Sequence, residues 1–189
     1  MPYWGIFPDY DEYNFVGYPS KNTYHQPRIE IYPVAKYEQI NPGAKDVIEN
    51  LKKLLADKPG SPDQLPLLPL FNAAQVFHSQ LQYLSFQSGQ GVRFVTQYDQ
   101  APLPINNLEI FYTFQGLTDD GKYYITALLP VSTAMLPDSD QVTPAIEQQL
   151  ADFEAYLKDT TQKINQVKPQ DFTPNLSRLD AVVQSLSVK

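Results

Sequence analysis

Apolar and polar side chains alternate through the middle of the chain, which predicts β-strands. Ser88-Gly89-Gln90-Gly91 divides the first pair of alternating segments, and Asp120-Gly121, a dipeptide that favours a tight hairpin turn, divides the second pair. Residues 72–80 are also compatible with a short helix, but the alternation that follows favours a strand pair. We therefore predict an antiparallel meander of four strands, at residues 80–87, 92–99, 107–115 and 122–131.

The first part of the chain also favours extended backbone. Residues 28–34 alternate, with Ile29 and Ile31 on one face, as in a half-buried strand. Residues 1–27 contain eight aromatic side chains among Pro, Asp and Gly and show no helical period. We predict an extended aromatic arm that enters a first strand near residues 13–18.

Three segments show the three-and-four spacing of amphipathic helices, and a proline lies at the start of each. Asn41-Pro42 precedes the first helix, which we expect over residues 43–57. Thr143-Pro144 opens the second, whose apolar stripe runs through residues 146–164, and Thr173-Pro174 opens the third. In each case a residue that caps helices precedes a proline, which needs no N–H partner in the first turn.

Strands in the middle of the chain with helices before and after them predict an α+β fold. We expect an antiparallel meander flanked by helices, arranged as an α/β/α sandwich. A length of 189 residues suits one domain. We assign residues 1–27 to the arm and first strand, and residues 28–189 to a single α+β domain. The proline-rich stretch at 58–70 is expected to be an extended loop, because its leucines favour burial.

Three pieces of local sequence resemble the PsbP-like superfamily: Phe15-Val16-Gly17-Tyr18-Pro19, Gly121-Lys122-Tyr123-Tyr124-Ile125-Thr126, and residues 176–186. The resemblance implies a sandwich of PsbP-like type, accessory or partner-binding work rather than catalysis, and export in bacterial members. The sequence from Gly91 to Thr118 also resembles uncharacterised lipoproteins of Chloroflexi-type bacteria. No functional motif of either family is preserved, so no site residue can be transferred.

Charge and composition narrow the choice of partner and compartment. The net charge is −7 and the 14 Lys and Arg are scattered, which argues against nucleic acid. No apolar run approaches the ~20 residues needed to span a bilayer. Cysteine is absent, as is common in bacterial proteins that work outside the cytoplasm. We expect an extracytoplasmic, secreted or lipoprotein location, with a removed signal peptide or lipid anchor.

No catalytic or cofactor motif is present, so we expect neither an enzyme nor a bound cofactor. His25 and His78 lack a partner at metal-ligand spacing, and a structural role is favoured for both. Asp138 and Asp140 are a candidate for a calcium site, although a turn or helix cap explains them as well. Missing cysteine excludes disulfides and thiolate zinc sites.

The aromatic arm supplies the candidate binding residues, which are Trp4, Phe7, Tyr10 and Tyr13. Rings with polar tips suit a ligand surface, but a sheet domain buries many of its rings, so core packing is favoured for the aromatic residues. We expect Trp4 and Phe7 to pack on the folded domain, and the carboxylates of Asp9, Asp11 and Glu12 to stay solvated.

These observations favour a non-catalytic, extracytoplasmic accessory or binding domain that acts on a protein or an envelope component. One alternative is a small-molecule carrier with a pocket between sheet and helix. Another is a carbohydrate-active enzyme that uses acidic residues in a cleft. Convergent carboxylates in a groove would favour the enzyme, and a large apolar cavity would favour the carrier. A filled core with an exposed aromatic patch would favour the binding domain.

Overall fold

The computed structural model describes residues 2–22 and 24–188, and over these residues its main element is a six-stranded sheet in which all neighbours are antiparallel. The spatial order is β1-β2-β6-β5-β4-β3, so the last four strands form the predicted meander and β2 pairs with its final strand. The strands are β1 (Asp11–Asn14), β2 (Arg28–Pro33), β3 (Ala74–Phe86), β4 (Gly89–Asp99), β5 (Phe111–Thr118) and β6 (Tyr123–Pro130). Two short strands, β7 (Ser132–Thr133) and β8 (Phe172–Thr173), pair with each other.

Helices cover both faces of the sheet, which confirms the α+β sandwich. They are α1 (Val34–Ile40), α2 (Pro42–Asp57), α3 (Pro144–Leu150), α4 (Phe153–Gln166) and α5 (Leu176–Gln184). In β4, Phe94 packs in a core with α1, α2 and the proline-rich loop, whereas its neighbour Val95 packs in a second core with α4 and α5. Both side chains are completely buried because each points to a different covered face.

Strand boundaries differ from the predicted ones in β1, β3 and β5. The first strand ends at Asn14, because the chain turns at Gly17, whose φ is +69°. β3 starts six residues before the predicted position, so the helical alternative for residues 72–80 is wrong. β5 starts at Phe111 rather than at residue 107, because the Asn106 side chain accepts from Leu108 N at 2.9 Å and holds a turn there.

Capping side chains determine where the three predicted helices begin. Asn41 caps α2 as predicted, since its Oδ1 accepts from Ala44 N at 3.2 Å. Thr143 caps α3 as predicted, since its Oγ1 accepts from Ile146 N at 3.4 Å. The predicted continuation of this helix to residue 164 is wrong, because the helix ends at Leu150 and Asp152 caps a separate α4 through Ala155 N at 3.1 Å. Asn175, rather than Thr173, caps the last helix.

A break in the regular pairing of β3 attaches α4 to the sheet. Gln80 lies at this register shift with a φ of 55°. Its side-chain amide donates to the carbonyls of Ile164 at 2.8 Å and Val167 at 2.9 Å, and its backbone N–H donates to Asn165 Oδ1 at 2.7 Å. A sheet residue thus adds hydrogen bonds to two carbonyls at the C-terminal end of α4, where regular intrahelical bonding stops.

Candidate functional site

The aromatic arm is part of the folded domain, and Asn41 holds it there. The amide of Asn41 donates to the carbonyls of Tyr3 and Ile6, both at 2.8 Å, while the same side chain caps α2. Pro8 is buried, and β1 pairs with β2 along its whole length. Hydrogen bonds to the arm's backbone therefore fix it on the domain, and Tyr10 adds a ring contact to Tyr32 at 4.8 Å.

The four candidate binding residues of the arm occupy different environments. Trp4 is half-buried, whereas Phe7 is 46% exposed, so the expectation that Phe7 packs on the domain is wrong. In the extended arm neighbouring side chains alternate, and Pro8 points inward where Phe7 points out. Tyr10 contacts Phe7 edge-on with ring centroids 5.6 Å apart, and Tyr13 is 58% exposed. Asp9, Asp11 and Glu12 are exposed, as expected.

Trp4 lines an open cleft of about 650 Å³, which we call the aromatic cleft. Its walls come from the arm, the loop before β2, the end of the proline-rich loop, the end of β4 and the connection from β4 to β5. The rings that line it are Trp4, Tyr24, Phe71 and Tyr98, and the carboxylates are those of Asp99 and Glu109. Of the four candidates from the arm, the cleft includes Trp4.

Three of the residues that line the aromatic cleft, Phe71, Tyr98 and His25, pack against one another or against Phe111. The rings of Phe71 and Tyr98 meet edge-on with centroids 5.2 Å apart. His25 stacks on Phe71 at 5.7 Å and contacts Phe111 at 4.5 Å. Burial and the nearby Arg28 charge lower the pKa of His25 to about 4, so this imidazole is neutral at physiological pH. The neutral His25 ring therefore packs between Phe71 and Phe111 as an uncharged aromatic side chain.

The two carboxylates of the cleft converge on one amide group. Gln97 Nε2 donates to Asp99 Oδ2 at 2.7 Å and to Glu109 Oε2 at 2.9 Å, and Asn106 Nδ2 donates to Glu109 Oε2 at 2.7 Å. Glu109 is 7% exposed and Gln97 is completely buried. Burial raises the pKa of both carboxyl groups, and the amide hydrogen bonds oppose that shift.

The remaining charged and polar side chains around the cleft are engaged with protein groups. Arg28 Nε donates to Glu30 Oε1 at 2.7 Å, and Tyr32 OH donates to Glu30 Oε2 at 3.0 Å. Tyr24 OH donates to Asp140 Oδ2 at 3.1 Å, although the Tyr24 side chain is 58% exposed. The tyrosine ring is thus oriented at its tip while its faces remain accessible.

A second groove, of about 610 Å³, continues from the aromatic cleft along α2 and the proline-rich loop. Phe71 and Tyr98 line both spaces. Tyr3 lines the second groove and Trp4 the cleft, and the two rings contact each other edge-on at 4.9 Å. The start of the arm therefore borders both.

The candidate calcium residues take different partners. Asp138 accepts from Lys21 Nζ at 2.5 Å and from Asn107 Nδ2 at 2.8 Å, and these bonds, that from Lys21 most of all, lower its pKa. Asp140 accepts from Tyr24. Within residues 2–22 and 24–188, no group of three or more His, Cys, Asp or Glu is arranged to hold a metal ion.

Most residues of the aromatic cleft were missed by sequence reasoning because they are far apart along the chain. Tyr24, Phe71 and Tyr98 belong to three separate segments, and none lies in a motif. Asp99 and Glu109 are not a close pair in sequence, but Asp99 ends β4 and Glu109 lies in the connection that leads to the antiparallel β5. A chain reversal between two acidic residues was the one available signal.

No family model, curated protein or solved structure matches the chain. In the part of the chain that the structure describes, every helix is too short or too polar to span a membrane.

Proposed function

We propose that the protein is a non-catalytic binding domain that works outside the cytoplasm and holds a component of the cell envelope in the aromatic cleft. The observation that carries the proposal is the convergence of Trp4, Tyr24, Phe71 and Tyr98 on one open cleft. Aromatic side chains provide large, rigid contact area, and they are enriched in binding surfaces. Few polar groups placed among apolar ones are typical of ligand sites.

The packing of the sheet favours a surface site over an internal one. Both faces of the central strands are covered by helices, and the largest rings of the sheet, including Phe94, Phe114 and Tyr112, are completely buried in these cores. Tyr24, by contrast, is exposed at the aromatic cleft. This combination of a filled core and accessible rings is the arrangement expected of a binding domain, and it argues against a carrier that encloses its ligand.

The extracytoplasmic part of the proposal rests on composition. The chain has no cysteine and only 19% charged residues, and it resembles families whose bacterial members are exported. Fractionation of the source cells, with an antibody against the protein, tests this part. Recovery of the protein with cytoplasmic markers would contradict it.

Co-sedimentation with an envelope fraction tests the binding proposal. Purified envelope particles, washed free of soluble protein, should retain the wild-type protein, and Tyr24→Ala should reduce the retained amount severalfold. Tyr13→Ala is a matched control, because Tyr13 is also 58% exposed but lies on β1 outside the cleft. Equal retention of the two variants would overturn the assignment of the cleft.

A glycosidase is the second candidate, because Asp99 and Glu109 converge as paired carboxylates do in such enzymes. Glu109 Oε2 already accepts from two amides, however, and the side chain is 7% exposed, which leaves it poorly placed to protonate a glycosidic oxygen. Hydrolysis of aryl glycosides by the wild type, abolished in Glu109→Gln, would favour the enzyme over the binding domain.

A further inference from the structure

We propose that the aromatic cleft binds a methylated ammonium group, such as the cationic part of a choline-type head group. This inference rests on the proposed function and adds the chemical class of the ligand. Three features carry it: the charge of Asp99 and Glu109, which has no cationic partner among the described residues, the pairing of Arg28 with Glu30, and the rings that line the same cleft as both carboxylates.

The carboxylates of Asp99 and Glu109 have no cationic partner among the salt bridges of the described residues. Their contacts are amide groups, from Gln97 and Asn106. Buried carboxylates are usually paired with a cation, because removing a charge from water is costly. Two desolvated carboxylates at the side of an open cleft therefore attract a cation.

Arg28, which also lines the cleft, does not cancel this charge. Its guanidinium lies 2.7 Å from Glu30, which is 3% exposed and also accepts from Tyr32. His25 is neutral, so the carboxylates of Asp99 and Glu109 leave the cleft with a net negative charge. Anionic ligands such as phosphates are disfavoured for the same reason.

The rings specify what kind of cation the cleft accepts. A cation within about 6 Å of a ring centroid is attracted to the electron-rich face, and tryptophan and tyrosine bind most strongly. Tyr24 is exposed and Trp4 half-buried, so these two rings are the most accessible to a cation. Phe71, which is stacked on His25, and Tyr98 complete the aromatic lining. A hard metal ion would instead need six to eight oxygen ligands, roughly, which the two carboxylates do not supply.

A methylated ammonium suits the cleft better than a primary amine. Leu70, Ala73, Ala101 and Leu103 join the four rings in the lining, so much of the wall is apolar. Such a wall suits N-methyl groups better than N–H donors, which need hydrogen-bond acceptors on several sides. Methylated ammonium groups have no N–H donors and need only charge and ring contact. The geometry therefore favours a ligand recognised by cation–π attraction within a negative field.

Fluorescence titration of the full chain tests the inference directly, because Trp4 is the only tryptophan and lines the cleft. Tetramethylammonium and choline should change the Trp4 emission saturably. The matched neutral probe is 3,3-dimethylbutan-1-ol, which has the shape of choline without its charge, and it should bind at least tenfold more weakly. Equal affinity for the neutral probe would overturn the inference.

Two variants separate the contributions of ring and charge. Tyr24→Ala and Glu109→Gln should each weaken choline binding by about three- to thirtyfold, as expected from the loss of one cation–π or charge contribution. Tyr13→Ala should leave the affinity unchanged. Because Glu109 is buried, the choline affinity of Glu109→Gln is interpreted only if a cooperative thermal transition shows that the variant is folded. Asp99→Asn, at a less buried position, repeats the measurement.

Vesicle binding distinguishes a lipid head group from a soluble ligand as the source of the methylated ammonium group. Binding to phosphatidylcholine vesicles but not to phosphatidylglycerol vesicles would identify a lipid head group, and binding of free choline or glycine betaine alone would identify a soluble ligand. The absence of saturation with every ammonium probe, while Tyr24→Ala still reduces retention on envelope particles, would overturn the ammonium inference and preserve the binding domain. Loss of both would overturn both proposals.

Discussion

Arg93 and Asp180 form a two-point ion pair in which the guanidinium Nε and Nη2 each lie 2.9 Å from one carboxylate oxygen. The pair is nearly buried and connects β4 to α5. Tyr112 OH donates to the same carboxylate at 3.0 Å, and the side chain of Gln82 contacts the guanidinium at 2.5 Å. This network holds the last helix on the sheet by directional contacts in addition to apolar packing.

The first prediction follows from this pair. Asp180→Ala leaves the Arg93 guanidinium buried without its counter-ion, so the free energy of unfolding should fall by about 3 to 5 kcal/mol. Asp159→Ala is the control, because its ion pair with Lys163 is exposed and should contribute less than about 1 kcal/mol. Urea denaturation of both variants measures the difference. Similar midpoints would show that the buried pair contributes little.

The second prediction concerns the double role of Asn41. Asn41→Ala removes the cap of α2, at about 1 kcal/mol, and also the two amide contacts that hold the arm. Trp4 emission should shift to the red and iodide should quench it more strongly. Asn175→Ala removes the cap of α5 alone and should leave Trp4 emission unchanged. Unchanged emission in Asn41→Ala would mean that strand pairing is enough to hold the arm.

The third prediction concerns acid stability. Because the folded state lowers the pKa of His25 to about 4, the unfolded chain binds its proton first as the pH falls. The stability associated with neutral His25 is complete above about pH 6.5, and is lost as the pH falls from there to about 4.

His25→Phe should keep the stacked packing and flatten this dependence. Asp99 and Glu109 act in the opposite direction, because raised carboxyl pKa values favour the folded state on acidification, and His78 acts in the same direction as His25. These groups are shared by wild type and variant. The difference between their urea midpoints from pH 7 to pH 4 therefore isolates His25, and a constant difference would contradict the prediction.

The fourth prediction concerns close packing at a glycine. A Cβ added to Gly91 would lie 2.5 Å from the carbonyl oxygen of Gln115 on the neighbouring strand and would also meet the ring of Phe114. Gly91→Ala should therefore lower stability by about 1 to 3 kcal/mol. At Gly60, in the proline-rich loop, an added Cβ meets no atom within 4 Å, and Gly60→Ala should not lower stability. Thermal melting distinguishes the two.

The parts of the fold that were predictable from sequence depend on neighbouring residues. Asn41-Pro42 starts α2, and the Asp120-Gly121 turn follows β5, because capping and turn chemistry act over a few residues. Helix α1 was missed because it has seven residues, of which Val34 and Tyr37 are buried, and no side chain caps its start. So short a segment shows no measurable period.

The aromatic cleft was not predictable, because its position depends on which strands become neighbours. Trp4 reaches the cleft through the Asn41 contact, and Tyr98 and Asp99 reach it through the end of β4. A single sequence indicates that these residues are aromatic or acidic, but it does not place them side by side. The carboxylates that sequence reasoning did select, Asp138 and Asp140, are neighbours in sequence that bind different partners.

The two cores of the sheet are completed at different times during synthesis. The chain segment that covers the face of Phe94 lies before β3, whereas α4 and α5, which cover the face of Val95, come after residue 152. When β6 leaves the ribosome, one face of the meander already has its helices and the other has none. At about 5 to 20 residues per second, that face remains uncovered for several seconds. The apolar residues of the Val95 face are therefore the last part of the sheet to be covered, once α4 and α5 have been synthesised.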